Sequence, residues 1–349
     1  MNKKKAIVYA DRFFNCADGK TAHGLVRYSK RFDIECVVDS TISEGDAGEI
    51  LDGVKRNIPL FNDLKKAYNK VKVNTFIIGA VSEGGVLPKD YDKAVIWALE
   101  NNLDIVSGLH QFISDDPVFS KLAIKYGCNI IDVRKIFRDH KRFYTGEIKN
   151  VKSKRIAIIG TDSAVGKRTI AVMINEELKK RGRKTDMIYT GQTGWMQGWP
   201  HGIVLDAMIN DFISGGIEGA ILDSWKDIKP EFMFIEGQGS LVHPFFPGGY
   251  EILAAGKIDG FILVDAPNRP HMDGFPDYPM PDPKRVVRIA ELLTEKPLVG
   301  IGMNRENMDK EKIKNVKLNL KNIFNVPVIE PLSEGVSEIV ESLEEINAR

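Results

Sequence analysis

The sequence predicts an α/β protein of two domains, each built on a parallel sheet with helices on both faces. Three observations carry this. The 349 residues exceed what one core usually serves. Strand-like and helix-like runs alternate along the whole chain. The strand-like runs are continuously apolar, as strands buried on both faces are. Hydrophobic residues at 43% and charged residues at 28% describe a soluble globular protein. A net charge of +1 gives no field for nucleic acid or an anionic membrane, so neither is an expected partner. No apolar run nears the ~20 residues of a membrane span. The run Ala6–Ala10 behind the N-terminal lysines is too short for a signal-peptide core. Cys16, Cys36 and Cys128 are scattered and read as reduced, so a cytoplasmic protein is expected.

In the first half, strands are expected at Lys5–Ala10, Ile34–Val38, Thr75–Gly79, Asp104–Ser107 and Asn129–Asp132. Helical spacing marks Thr21–Ser29, Leu60–Lys70, Tyr91–Asn101 and Pro117–Tyr126. No G-x-G-x-x-G follows the first strand, so residues 1–145 are expected to form a Rossmann-like domain without a dinucleotide fingerprint. Lys20, Thr21 and His23 lie just past the first strand, at the edge where such domains bind ligands. They either contact a substrate carboxylate or simply begin a helix. His110, after another strand, reads as an acid–base group or a structural histidine. Val133–Lys154 reads as a linker, and the basic cluster Arg134, Lys135, Arg138, His140, Lys141, Arg142 as a solvated face or part of that linker.

Residues 151–349 are expected to form the second domain. After Arg155–Ile159, strands are expected at Asp186–Tyr189, Phe232–Glu236, Gly260–Asp265, Pro297–Gly302 and Val326–Ile329. Helices fit Thr169–Arg181, Ile203–Gly215, Gly249–Gly256, Lys284–Thr294 and Val336–Asn347. Ala266–Pro283, with six prolines, reads as a long functional loop.

The run Gly160-Thr-Asp-Ser-Ala-Val-Gly-Lys-Arg-Thr169 stands between a strand and a helix, the context of a phosphate-binding loop. Gly160, Thr161, Asp162, Ser163, Ala164, Val165, Gly166, Lys167, Arg168 and Thr169 are therefore candidate cofactor-binding residues. Five residues rather than four separate the glycines, and Arg168 fills the slot where Ser or Thr ordinarily ligates magnesium. Thr169 either does that work or only starts the helix. The second signal is Phe232-Met-Phe-Ile-Glu-Gly-Gln-Gly239, which sets Glu236 at the end of a buried strand, where a carboxylate beside a phosphate loop can hold a hard cation. Gly237 and Gly239 let the chain approach a ligand closely. His201, His243 and His271 fall in or near the expected ligand edge, and His243 is the candidate catalytic base beside Lys167 and Glu236. These histidines lack metal-ligand spacing.

Gly-Thr-Asp-x-x-Val-Gly-Lys together with Glu-Gly-x-Gly-x-Leu-x-x-Pro resembles dethiobiotin synthetase and cobyrinic-acid-type amide synthases, over roughly residues 151–345. The resemblance implies a P-loop NTPase-like parallel-sheet domain that holds ATP with Mg2+ and phosphorylates a carboxylate. Thr161, Gly166, Lys167 and Thr169 would then hold phosphates, and Asp162 and Glu236, with Thr169, the magnesium. Asn304 takes the place where those relatives recognise adenine. The catalytic lysine of dethiobiotin synthetase is missing from Tyr189-Thr-Gly-Gln-Thr-Gly194, so the substrate pocket differs.

The whole chain resembles a two-domain family that joins a Rossmann-like N-terminal domain to such a P-loop domain, on Lys20–Gly24, Gly79–Gly85, Gly160–Thr169, Thr190–Gly194 and Glu236–Gly239. One branch is named for D-glutamate N-acetyltransferase activity. That resemblance implies acetyl-CoA as the alternative cofactor and a small amino- or carboxylate-bearing substrate near Lys20, Thr21, His23, Thr190, Gly191, Gln192, Thr193, Gly237 and Gln238. A homo-oligomer is the default for metabolic enzymes of this size. A non-catalytic nucleotide switch is the third reading, against which stands the Thr161-Asp-Ser163 sequence, where partitioning ATPases carry an extra lysine.

Overall fold

The computed structural model describes residues 3–348. The chain forms two compact units, and the sequence order is not respected by the division. Unit 1 holds residues 1–140 together with 192–199 and 206–208, and unit 2 holds 141–191, 200–205 and 209–349.

Unit 1 carries strands β1 (Lys4–Tyr9), β2 (Phe32–Val38), β3 (Gly45–Asp46), β4 (Pro59–Phe61), β5 (Thr75–Ile78), β6 (Asp104–Ser107) and β7 (Ile130–Asp132), in the spatial order β3-β4-β2-β1-β5-β6-β7. All neighbours are parallel except β3 against β4. Without the short β3, this is the doubly wound order, which reverses between β1 and β5. Its helices are α1 (Lys20–Tyr28), α2 (Ala47–Asp52), α3 (Leu64–Lys70), α4 (Tyr91–Glu100), α5 (Pro117–Tyr126), α6 (Val133–Arg138) and, from far along the chain, α8 (Gln192–Gln197). The central strand has no exposure at Ala6, Ile7 and Val8, which explains its unbroken apolar run.

Unit 2 carries β8 (Lys154–Gly160), β9 (Thr185–Ile188), β10 (Phe232–Glu236), β11 (Gly260–Asp265), β14 (Leu298–Met303) and β15 (Val328–Ile329), all parallel, in the order β15-β14-β11-β8-β10-β9. A separate antiparallel hairpin joins β12 (His271–Met272) to β13 (Phe275–Pro279). Its helices are α7 (Lys167–Lys180), α9 (Asn210–Asp227), α10 (Tyr250–Ala255), α11 (Pro283–Thr294), α12 (Lys310–Phe324), α13 (Pro331–Glu334) and α14 (Ser337–Ala348). Phe232, Met233, Phe234 and Ile235 are wholly buried, each contributing roughly 1.5–3 kcal/mol by leaving water. β8 sits between β10 and β11, so the chain ends following all three strands meet at one edge.

Several elements differ from the sequence expectation. Leu60–Lys70 is not one helix: Pro59–Phe61 pairs with β2, and Asp63 then caps α3 by accepting from the Lys66 amide. Ile203–Gly215 is not a helix either. A single short 3-10 turn spans Leu205–Ala207, and α9 runs 18 residues through Gly215, Gly216 and Gly219. These glycines do not break it. A Cβ at Gly215 would lie 1.9 Å from the Arg142 carbonyl oxygen, so the residue is small because another backbone is pressed against it. The expected linker contains α6, and Arg134 is no solvated residue: it is 5% exposed and grips Asp206 through Nε (3.1 Å) and Nη2 (2.7 Å). The proline-rich loop contains the β12–β13 hairpin, an arrangement proline tolerates because the pair is an isolated edge. No helix among the described residues is long and apolar enough to cross a membrane.

Candidate phosphate-binding site

The loop of residues 161–166 leaves β8 and turns sharply through Ala164 (φ 52°) and Gly166 (φ 110°) into α7, whose first residue is Lys167. The amides of this first turn and the helix dipole face the loop with positive partial charge. Thr161 is pinned to the sheet: its amide donates to the Val264 carbonyl (3.0 Å) and its hydroxyl to Asp265 Oδ1 (2.7 Å). Lys167, 7% exposed, lies across the site and donates to the carbonyls of Asp162 (2.6 Å) and Gly239 (2.7 Å). It thus joins the loop after β8 to the loop after β10. Gly237 allows that closeness, because a Cβ there would stand 2.0 Å from the Ile158 carbonyl oxygen. Lys167, Glu236 and the loop predicted from sequence are brought together at one sheet edge.

Glu236 is 2% exposed at the tip of β10. Its Oε1 is ion-paired with Arg168 Nη2 at 2.6 Å, and its Oε2 accepts from the Thr190 amide at 3.1 Å. The Thr190 hydroxyl donates to the Glu236 carbonyl (2.7 Å) and accepts from Gln238 Nε2 (2.9 Å). Thr190, Gly191, Gly237 and Gln238 therefore cluster with Arg168 and Glu236.

Asp162 is wholly buried. Its Oδ2 accepts from Arg269 Nη1 (2.8 Å) and the Asp273 amide (2.8 Å), and its Oδ1 from the Ser163 amide (2.7 Å). The Ser163 hydroxyl bonds Asp273 Oδ2 (3.1 Å), and Arg269 also holds Glu306 at 2.7 Å. His243 is fully buried, with Nδ1 accepting from the amides of Phe245 (3.1 Å) and Phe246 (2.9 Å), which puts the ring proton on Nε2. That nitrogen lies 3.4 Å from Asp162 Oδ1 without hydrogen-bond alignment. Burial lowers the His243 pKa, with the Asp162 charge opposing. In this geometry His243 supports the loop beneath the site, with no basic nitrogen turned outward. Asn304 braces the loop as well, donating to the Val165 carbonyl (3.3 Å) and accepting from the Glu306 amide (3.0 Å).

Asp265, Arg269 and Asp273 were not anticipated. Asp265 carried the same signal as Glu236, a carboxylate closing an apolar strand, and burial raises its pKa against the Thr161 hydrogen bond. Arg269 and Asp273 lie in the proline-rich loop, where no pattern marks them. Beside the site, Phe245, Phe246, Phe275 and Tyr278 form a partly exposed aromatic ledge, with Phe245 against Phe246 at 4.7 Å and Phe275 against Tyr278 at 5.8 Å.

A divalent cation would need free carboxylate or hydroxyl oxygens. Both carboxylates expected to serve, Asp162 and Glu236, already have their oxygens engaged by protein donors. Thr169 alone of the expected set has a hydroxyl with no hydrogen bond among the described residues. The residues present do not fit magnesium.

The other predicted substrate residues lie in unit 1. Thr21 and Thr193 bond through their hydroxyls (3.1 Å, buried), and Gln192 is 6% exposed near Gly108. Lys20 opens α1. His23 Nε2 bonds the Phe14 carbonyl at 2.7 Å, and burial pushes its pKa down to about 4 against that hydrogen bond. His110 stands 3.7 Å from Asp206, and its pKa is lowered by burial and by Arg134, with Asp206 opposing. Trp195 stacks under the Arg31 guanidinium at 4.0 Å, and Trp199 lies under Lys30 at 4.5 Å, so both tryptophans are packing elements of this unit. In unit 2, His271 is exposed on β12, and His201 is buried against Asp186.

Comparison with known proteins agrees with this architecture. Residues 40–136 match a Rossmann-like N-terminal family model and residues 142–340 a P-loop C-terminal model, both described as domains of unknown function, DUF1611_N and DUF1611_C. A Pseudoalteromonas protein named D-glutamate N-acetyltransferase is 32% identical over 280 residues, 78% of this chain and 82% of its own. A Tritonibacter scottomollicae protein of the same name is 30% identical over 299 residues, 84% of this chain and 88% of its own. The crystal structure of a DUF1611 family protein from Anabaena variabilis superposes with a TM-score of 0.89 at 26% identity, covering 98% of this chain and all of that one. With a Rossmann-like domain, a P-loop domain and relatives matched along most of its length, the chain belongs to the DUF1611 family.

Proposed function

We propose that this protein is an acetyl-CoA-dependent N-acetyltransferase acting on the amine of a small amino acid. The observation that carries the reading is the phosphate loop with Lys167 drawn across it, in a chain whose relatives bear the name of a D-glutamate N-acetyltransferase. Coenzyme A offers a pyrophosphate and a 3′-phosphate, anions of the kind such a loop cradles. The aromatic ledge of Phe245, Phe246, Phe275 and Tyr278 offers apolar surface for the long arm of an acyl thioester. D-glutamate is the first amine to test.

Binding to the folded state raises the melting temperature. Acetyl-CoA is expected to shift the melt of the wild-type protein, and Lys167→Ala to abolish the shift. Thiol release from acetyl-CoA should then require an amino acid. A shift with ATP–Mg2+ and none with acetyl-CoA would overturn this reading in favour of ATP-dependent carboxylate activation. Binding without amine-dependent thiol release would make the protein a ligand-gated switch.

A further inference from the structure

Resting on the reading that a phosphate ligand occupies this loop, we infer that the site takes that ligand without a divalent cation, Arg168 supplying the positive charge that magnesium supplies in loops with Ser or Thr at that place. Three independent features of the site meet in this. The residue after the loop lysine is an arginine, so the hydroxyl that ordinarily ligates the metal is replaced by a fixed cation on a long arm. That arm reaches the strand-end carboxylate: Arg168 Nη2 stands 2.6 Å from Glu236 Oε1, the group a hard cation would otherwise use. The remaining Glu236 oxygen accepts from the Thr190 amide. The second acidic residue is equally committed, since Arg269, the Asp273 amide and the Ser163 amide hold Asp162.

Magnesium needs near-octahedral oxygen coordination and uses one or two carboxylates to anchor it. Here Glu236 and Asp162, the two carboxylates expected to anchor it, each meet a guanidinium instead. Arg168 further has its Nε buried with no hydrogen-bond partner among the described residues, a donor in reserve beside the loop. A guanidinium is charged at every relevant pH and donates in a planar fork suited to phosphate oxygens. Lys167 and Arg168, adjacent in sequence, place an ammonium and a guanidinium at the start of α7, the guanidinium shared with Glu236.

The test is calorimetric titration of the wild-type protein with coenzyme A and, separately, with ATP, each in EDTA and in excess Mg2+. Affinity for coenzyme A is expected to be the same in both buffers. Arg168→Ser, checked for folding by its thermal melt, restores the hydroxyl and frees Glu236. It is expected to bind at least about tenfold more weakly in EDTA, the loss of one charge-assisted contact, and to recover part of this with Mg2+. Wild-type binding that needs Mg2+ overturns the inference and leaves the ligand assignment standing. Metal-free binding of ATP but not coenzyme A supports the inference and removes the acyl-donor reading. Failure of both ligands in both buffers overturns the two together.

Discussion

His201 lies between two carboxylates, with Nδ1 2.6 Å from Asp186 and Nε2 3.2 Å from Asp227, while Asp186 also accepts from the Ser224 hydroxyl at 2.7 Å. Burial disfavours the charged ring, yet hydrogen bonding and charge from Asp186 and Asp227 outweigh it, and the pKa is raised above 6.5. A histidine whose folded pKa is raised stabilises fully below its unfolded value and loses that contribution as pH climbs through the folded one. In urea denaturation the His201 contribution should therefore fall as pH rises above 6.5, against the opposite slope from His23, His110 and His243, whose folded pKa values are lowered. In Asp186→Asn the His201 slope should flatten, and the protein should lose about 3 kcal/mol near neutral pH through the broken buried pair. At this scale the sequence was informative where chemistry depends on neighbours along the chain. Lys167 and Glu236 were legible from a loop and a strand end. Asp162 is a metal ligand only by the resemblance, and spacing cannot reveal Arg269, 107 positions away, on its carboxylate. His243 was marked by its place near the ligand edge, whereas its role follows from a local turn that no residue pattern marks, in which Nδ1 accepts from the amides two and three positions on.

Among the elements, α11 shows how local signals set a boundary. Asp282 accepts from the Lys284 amide at 2.9 Å, and Pro283 takes the first helical position, where its missing N–H costs nothing. Asp282→Ala should lower stability by about 1 kcal/mol in chemical denaturation, with an unchanged helical signal in circular dichroism. The sequence places this helix at Lys284–Thr294 and leaves Pro283 in the preceding loop, one residue short of its start, while buried strands such as Phe232–Glu236 were equally plain. Elements without a long period or a clean cap escaped. The six residues of α8 are too short for helical periodicity to register, and β4 was absorbed into the apolar spacing of α3. The 15-residue α12 buries only Leu320 among its residues, leaving little apolar pattern to read.

At the scale of the whole molecule, both fold types were legible because strand–helix alternation survives any reassignment of individual segments. What could not be read is that the chain passes between units after residues 140, 191, 199, 205 and 208. Within unit 1, α8 is tied to α1 and the turn after it: Gln197 Nε2 donates to the Gly24 carbonyl at 2.8 Å, and the Lys30 amide donates to the Gln197 carbonyl at 2.7 Å. Residues 1–140 produced alone would lack these partners. That fragment is expected to melt less cooperatively and at lower temperature than 1–140 mixed with 141–349, as read by calorimetry and tryptophan fluorescence.

The Arg134–Asp206 grip carries this same interlacing into heredity. A gene fusion that exchanged the first 140 codons for those of another lineage would import a foreign socket for a peptide encoded some 50 codons downstream. Such hybrids should succeed only when codons 192–199 and 206–208 travel with the front half, so the two parts are constrained to descend as one.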